Sequence, residues 1–107
     1  MVTSLDGKYL YVADQRNHQI KKIDLTTNAV SLVAGSGTAG FNDANGNAAQ
    51  FNYPSGIAID VSGNLYVADK NNHAIRLITN PSGASPAVTT IAGNSNYPTP
   101  AEGNVTG

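Results

Sequence analysis

The stretch YVADKNNHAI, Tyr66 to Ile75, sets Asp69 and His73 four residues apart beside Asn71 and Asn72. A carboxylate that orients an imidazole makes a general-base pair, and a histidine near acids is a common beginning of a zinc site. The same stretch stands earlier as YVADQRNHQI, Tyr11 to Ile20, with Asp14, Asn17 and His18 in the matching places. A zinc site needs a third protein ligand in convergent geometry, and the chain holds only two histidines. The rival reading is mechanical. An aspartate at the end of a strand can accept backbone N–H groups two or three residues on, an Asx-turn, and asparagine tolerates the left-handed conformation of a tight turn. Turn hardware is therefore the expectation for Asp14, Asn17, Asp69 and Asn72. His18 and His73 then open the following strand, each packing and donating a hydrogen bond between neighbouring units.

A second candidate lies in the long loop Gly35 to Gly56, where Asp43, Asn45 and Asn47 are spaced like the start of a calcium loop with Gly46 among them. The bidentate acid that should follow is missing, since no glutamate stands later in the loop. The favoured reading is a connection that buries Phe41, Phe51 and Tyr53 in a seam, with no cofactor; calcium or zinc is the rival.

The elements that must position these residues repeat. Leu10–Asp24 laid on Leu65–Thr79, an offset of 55, is identical at nine of fifteen positions. VSLVAG (Val30–Gly35) then matches VTTIAG (Val88–Gly93) at an offset of 58, the difference falling in the loop TNPSGASPA. Two copies of one unit make up the chain, 1–56 and 57–107. Within the second copy, GIAID, NLYVAD, HAIRLI and AVTTIAG read as strands, separated by turn-forming VSG, KNN and NPSGAS. The spacing of Ile20 to Ile23 and Ile75 to Ile78 would also suit a helix, but β-branched content and frequent turn residues favour strands. Leu65 and Val67 point to one face, Tyr66 and Ala68 to the other, so the sheet must be covered on both. Four-stranded sheets stacked radially do that, as propeller blades.

Composition narrows the rest. Hydrophobic residues are 40% and charged residues 12%, with a net charge of −1 from six Lys and Arg and seven Asp and Glu. That leaves no basic stripe for a nucleic acid. No apolar run reaches the roughly 20 residues that cross a bilayer, and the first residues lack a signal-peptide pattern. The chain has no cysteine, hence no disulfide or thiolate metal site. Low charge with many Asn, Ser and Thr leans toward an extracellular or cell-surface parent. Asn104–Thr106, NVT, matches a glycosylation acceptor.

Pro-x-Gly-Ile-Ala-Ile-Asp (from Pro54), Gly-Asn-Leu-Tyr-Val-Ala-Asp (from Gly63), Asn-His-x-Ile-Arg (from Asn72) and Val-x-x-Ile-Ala-Gly (from Val88) together resemble the NHL repeat. The resemblance implies blades of a propeller, usually six-bladed, and a scaffold for binding. It does not imply one activity, because the fold hosts many. The first copy lacks the Pro-x-Gly opening, Met1 aligning with Ile57, and the second stops at Gly107, near the counterpart of Ala49. Two blades leave apolar faces open, so the expectation is part of a longer propeller or self-association, three chains giving six blades.

The expected architecture is all-β, two four-stranded antiparallel sheets as blades. The expected function is a non-catalytic scaffold or interaction module, with a protein partner at a rim formed by Arg16, Lys70, Asn71, Asp43, Asn45 and Asn47. RNA-binding relatives of this type use a strongly basic face, for which Arg16 and Lys70 are too few. The alternative is part of a propeller enzyme of lyase or lactonase type, with a metal at the central channel. The innermost strands, GIAID and MVTSL, offer that role only Asp60, Thr3 and Ser4.

Overall fold

The computed structural model describes residues 1–93. Its strands are β1 (Val2–Thr3), β2 (Tyr9–Asp14), β3 (Gln19–Asp24), β4 (Val30–Ala34), β5 (Pro54–Ile59), β6 (Leu65–Asp69), β7 (Ala74–Thr79) and β8 (Ala87–Gly93). They form two four-stranded sheets, β1-β2-β3-β4 and β5-β6-β7-β8, antiparallel throughout. Strands adjacent in the chain are adjacent in the sheet, which short turns require. The Asn104–Thr106 acceptor lies outside the described residues.

The hairpin turns explain the strand limits. Asp6 Oδ1 accepts the Lys8 N–H at 3.0 Å, Asp24 Oδ1 the Thr26 N–H at 2.9 Å and Asp60 Oδ1 the Ser62 N–H at 2.9 Å. Each is an Asx-turn, with the side chain standing in for a backbone carbonyl. Gly7 and Gly63 follow two of these aspartates at φ +76° and +86°, where a β-carbon would be strained.

Both sheets carry the same irregularity at the same place. The register between β3 and β4 shifts at Ile20/Lys21, and that between β7 and β8 at Ile75/Arg76. A bulge of this kind sharpens the twist, and its repetition gives the two sheets the same curvature so that they can stack.

The two faces of the repeat part company in burial. On the second sheet Leu65, Val67, Asp69, Arg76 and Ile78 are completely buried, whereas Tyr66, Ala68, Ile75 and Leu77 are only half-buried. The first sheet reverses this: Tyr11 and Ile20 are buried, and Leu10, Val12 and Ile23 are half-buried. The Tyr-side face of the first sheet thus packs on the Leu-side face of the second. Tyr11, Ile20, Val33, Phe51, Leu65, Val67, Ile78 and Val88 belong to one core cluster between them. The opposite face of each sheet is left open. On the second sheet that open face holds a shallow depression of about 300 Å³ lined by Ile57, Tyr66, Ala68 and Ile75.

Candidate functional site

The polar residues of the second copy of the signature meet at the seam between the sheets. β6 ends in Asp69, a single 3₁₀ turn (Lys70–Asn72) reverses the chain, and β7 returns with Arg76 on the same face as Asp69. Asp69 and Arg76 are both fully buried, and Arg76 Nη1 donates to Asp69 Oδ2 at 2.6 Å. The buried Asn72 donates to the same oxygen at 2.7 Å. Asp69 Oδ1 accepts the backbone N–H of Asn52 at 2.8 Å.

The rest of the site comes from the loop between the sheets. Arg76 Nη1 also donates to the Gln50 carbonyl at 2.8 Å, and Nη2 donates to the Asn42 carbonyl and to Asp43 Oδ1, each at 2.9 Å. Asn72 donates to the Gly40 carbonyl at 2.8 Å. The guanidinium carbon lies 4.8 Å from the Phe41 ring centroid and 5.0 Å from that of Phe51. Arginine suits this place because its planar fork serves several acceptors in plane while its faces take aromatic rings. Its Nε is the single buried side-chain polar atom without a partner among the described residues. The segment continues across β8, where the Ala44 carbonyl accepts the Val88 N–H at 2.9 Å and Asp43 accepts from Thr90 Oγ1 at 2.8 Å.

The first sheet holds the same residues in a different state. Asp14 Oδ2 accepts from Asn17 Nδ2 and from Lys21 Nζ, both at 2.9 Å, with the Lys21 and Asp14 side chains 32% and 28% exposed. The Asn17 amide first, and Lys21 second, hold the Asp14 carboxyl below its ordinary range. Asp14, Asn17 and Lys21 therefore form the same cluster as Asp69, Asn72 and Arg76, with no segment laid over it.

His18 belongs to the seam but looks the other way. Its Nδ1 accepts the Tyr53 backbone N–H at 3.0 Å, and the two rings meet edge to face at 4.9 Å between centroids. Across the two copies, then, Asp69 and Asn72 of the second hold the loop that precedes them, and His18 of the first holds the loop that follows it.

Four details differ from what the sequence leads one to expect. Asp14 and Asp69 make no Asx-turn: their carboxylates are taken by side chains and by a backbone N–H 17 residues upstream, while Asx-turns sit at Asp6, Asp24 and Asp60. The left-handed residues are His18 (φ 56°) and His73 (φ 53°), one place beyond Asn17 and Asn72, whose amides are committed to the aspartates. His18 accepts rather than donates in its bond to Tyr53. In the loop, Phe51 is fully buried but Phe41 and Tyr53 stay 38% and 40% exposed, since they cap Arg76 and His18 from outside.

The six rim residues do not share a rim. Arg16, Lys70 and Asn71 lie on the turns at the Asp69 end of the sheets. Asn45 bridges to Ala87 and, with Asn47, lines a hollow against Gly83–Pro86 at the opposite end of β8. Asp43 lies between, against Thr90 and Arg76, which also separates it from Asn45 and Asn47 as a calcium set. No group of three or more His, Cys, Asp or Glu positioned to hold a metal occurs among the described residues. Asp60, on an innermost strand, spends its carboxylate on its own turn and on the Tyr66 hydroxyl at 3.0 Å.

Arg76 is the member that a motif reading passes over. In HAIRLI it shares its face with Ala74 and Ile78, so a charge sits in the apolar register of a strand. That is the signal that it must be buried with partners.

Comparison with known proteins gives the arrangement its family. The NHL repeat family model matches residues 51–76, from Phe51 through Arg76, and the LVIVD repeat model matches residues 3–19. The chain is 48% identical over 73 residues to Protein SUPPRESSOR OF QUENCHING 1, chloroplastic, of Arabidopsis thaliana, covering 68% of this chain and 7% of that protein. It is 42% identical over 71 residues to human NHL repeat-containing protein 2, covering 64% of this chain and 10% of that one. A solved structural genomics protein of unknown function from Bacteroides thetaiotaomicron superposes with a TM-score of 0.75 at 25% identity, over 94% of this chain and 26% of its own. The chain spans about a tenth or less of these curated relatives. It belongs with the NHL-repeat proteins, and its two sheets are two blades of a β-propeller.

Proposed function

We propose that the chain acts as a non-catalytic propeller scaffold, an interaction module that joins further blades into a ring and presents its loops to a protein partner. One observation carries this reading: Asp69, Arg76 and His18 of the signature are spent on holding the segment that links one blade to the next. A catalytic constellation needs a nucleophile or base free to reach a substrate in a cleft. Here Asp69 and Arg76 are sealed from solvent and His18 Nδ1 is occupied by a backbone N–H. The two ends of the pair are also complementary in kind, an open Leu-side face on blade 1 and an open Tyr-side face on blade 2. Such a heterologous contact closes rings, and three copies would supply six blades.

The reading is tested against metal-dependent chemistry by thermal melting with saturating zinc or calcium. A scaffold melts at the same temperature with and without metal. A native metal site at a hundredfold excess over its Kd adds about 2.7 kcal/mol, a rise on the order of 10 °C in a chain of this size, and that result would overturn the reading.

A further inference from the structure

We propose that Asn45–Gly46 is a deamidation site gated by the fold: seated against the second blade it is inert, and each opening of the Gly40–Tyr53 segment exposes it to a conversion that then keeps the segment from reseating.

The chemistry belongs to the dipeptide, the single Asn-Gly of the chain. The Gly46 backbone nitrogen attacks Cγ of the Asn45 amide, an N–C bond forms as the Cγ–Nδ2 bond breaks, and ammonia leaves with the proton from the Gly46 nitrogen. The resulting succinimide takes up one water at either carbonyl and opens to aspartate or to isoaspartate, in which the main chain runs through Cβ. Glycine favours the attack because no side chain shields its nitrogen and its backbone turns freely. The amide to be attacked is ready. Asn45 is exposed, and its side chain does not cap the 3₁₀ turn (Gly46–Ala48) that it precedes.

The backbone is not ready. The Gly46 N–H donates to the Pro86 carbonyl at 2.8 Å, which engages the attacking nitrogen. With Asn45 at ψ 139°, that nitrogen is rotated well away from the Asn45 β-carbon, whereas a five-membered ring needs the two nearly eclipsed. The neighbours impose both conditions. Asn45 bridges to Ala87, the Ala44 carbonyl accepts the Val88 N–H at 2.9 Å, and the Gly46 carbonyl accepts the Gly35 N–H at 3.1 Å. Two residues upstream, Asp43 fastens the same stretch to Arg76 and Thr90. Reaction therefore waits on a local opening that breaks these bonds together, and its rate is the opening equilibrium multiplied by the rate of the unrestrained dipeptide. Isoaspartate adds one carbon to the main chain between Ala44 and Gly46, so the Ala44 carbonyl and the Gly46 N–H no longer meet Val88 and Pro86 in one register.

The experiment incubates the chain in mildly alkaline buffer, native and in urea, and follows the unit mass gain at Asn45 by peptide mapping, which separates aspartate from isoaspartate. The expected rate in urea is about tenfold or more above the native rate. Asp43→Ala and the milder Thr90→Val, each confirmed to be folded, convert at rates between the two, and Asn45→Gln, whose ring would have six members, stays unconverted. The purified isoaspartyl chain melts about 4 °C or more below the unmodified one, while Asn45→Asp, which carries the charge on an unaltered main chain, melts with it. A native chain that converts as fast as the urea-unfolded one, or Asp43→Ala and Thr90→Val chains that convert no faster than the native one, overturns the gate. An isoaspartyl chain that melts with the unmodified one overturns the consequence for the seam.

Discussion

Arg76 shows how a single charge can be structural. Burying a guanidinium is tolerable only when most of its donors are satisfied, and four bonds to two carboxylates and two carbonyls serve Nη1 and Nη2 between two aromatic rings, leaving Nε alone without a partner. Lysine keeps the charge but loses the fork, so Arg76→Lys leaves carbonyls of the loop without donors. We expect it to cost about 1–3 kcal/mol in urea unfolding, although Lys21 fills the same place in blade 1. The acids give a pH dependence. Backbone N–H groups of its own turn, led by Asn64, hold the Asp60 carboxyl below its ordinary range, and Asn17 and Lys21 do so for Asp14. A depressed folded value means the unfolded chain binds more protons near pH 4, so stability is full above about pH 4 and falls as pH drops through the folded values. Asp60→Asn should flatten that acid limb, measured as melting temperature between pH 2 and 6.

At the scale of the element, strands and hairpins were legible in the sequence because each rests on local information. GIAID, NLYVAD, HAIRLI and AVTTIAG all became strands, and the β-branched residues and turn signals that named them act over a few positions. The lock was not legible for the opposite reason. Asp69 finds its N–H at Asn52 and Arg76 finds Asp43 across a 33-residue separation, so Asp69 looked like a turn residue while Asp60 was one. The left-handed place fell on His73 instead of Asn72 because the Asn72 amide is claimed by Asp69 and Gly40. The loop contains one tight backbone contact that sequence spacing does not show. Gly35, at φ +110°, would place a β-carbon 2.5 Å from the His18 carbonyl oxygen. Gly35→Ala should therefore destabilise by more than about 1 kcal/mol, by clash as well as by backbone strain. Gly7→Ala, at φ +76° but with open space around it, should show the strain alone and cost less. Thermal melts of the two variants side by side check this.

At the scale of the whole molecule, one repeated signature exists in two states. Its residues are alike in type, yet one copy is sealed by Gly40–Tyr53 and the other faces solvent, so the same substitution should have different consequences in the two places. The central claim is that the signature joins blade to blade, and the direct test is urea unfolding of Asp14→Ala beside Asp69→Ala. Asp69→Ala strands a buried guanidinium and an N–H, and should cost about 3–5 kcal/mol. Asp14→Ala breaks a partly exposed pair and should cost no more than about 1 kcal/mol. Equal losses from the two substitutions would mean that the aspartates serve their own turns alike, and would contradict the account.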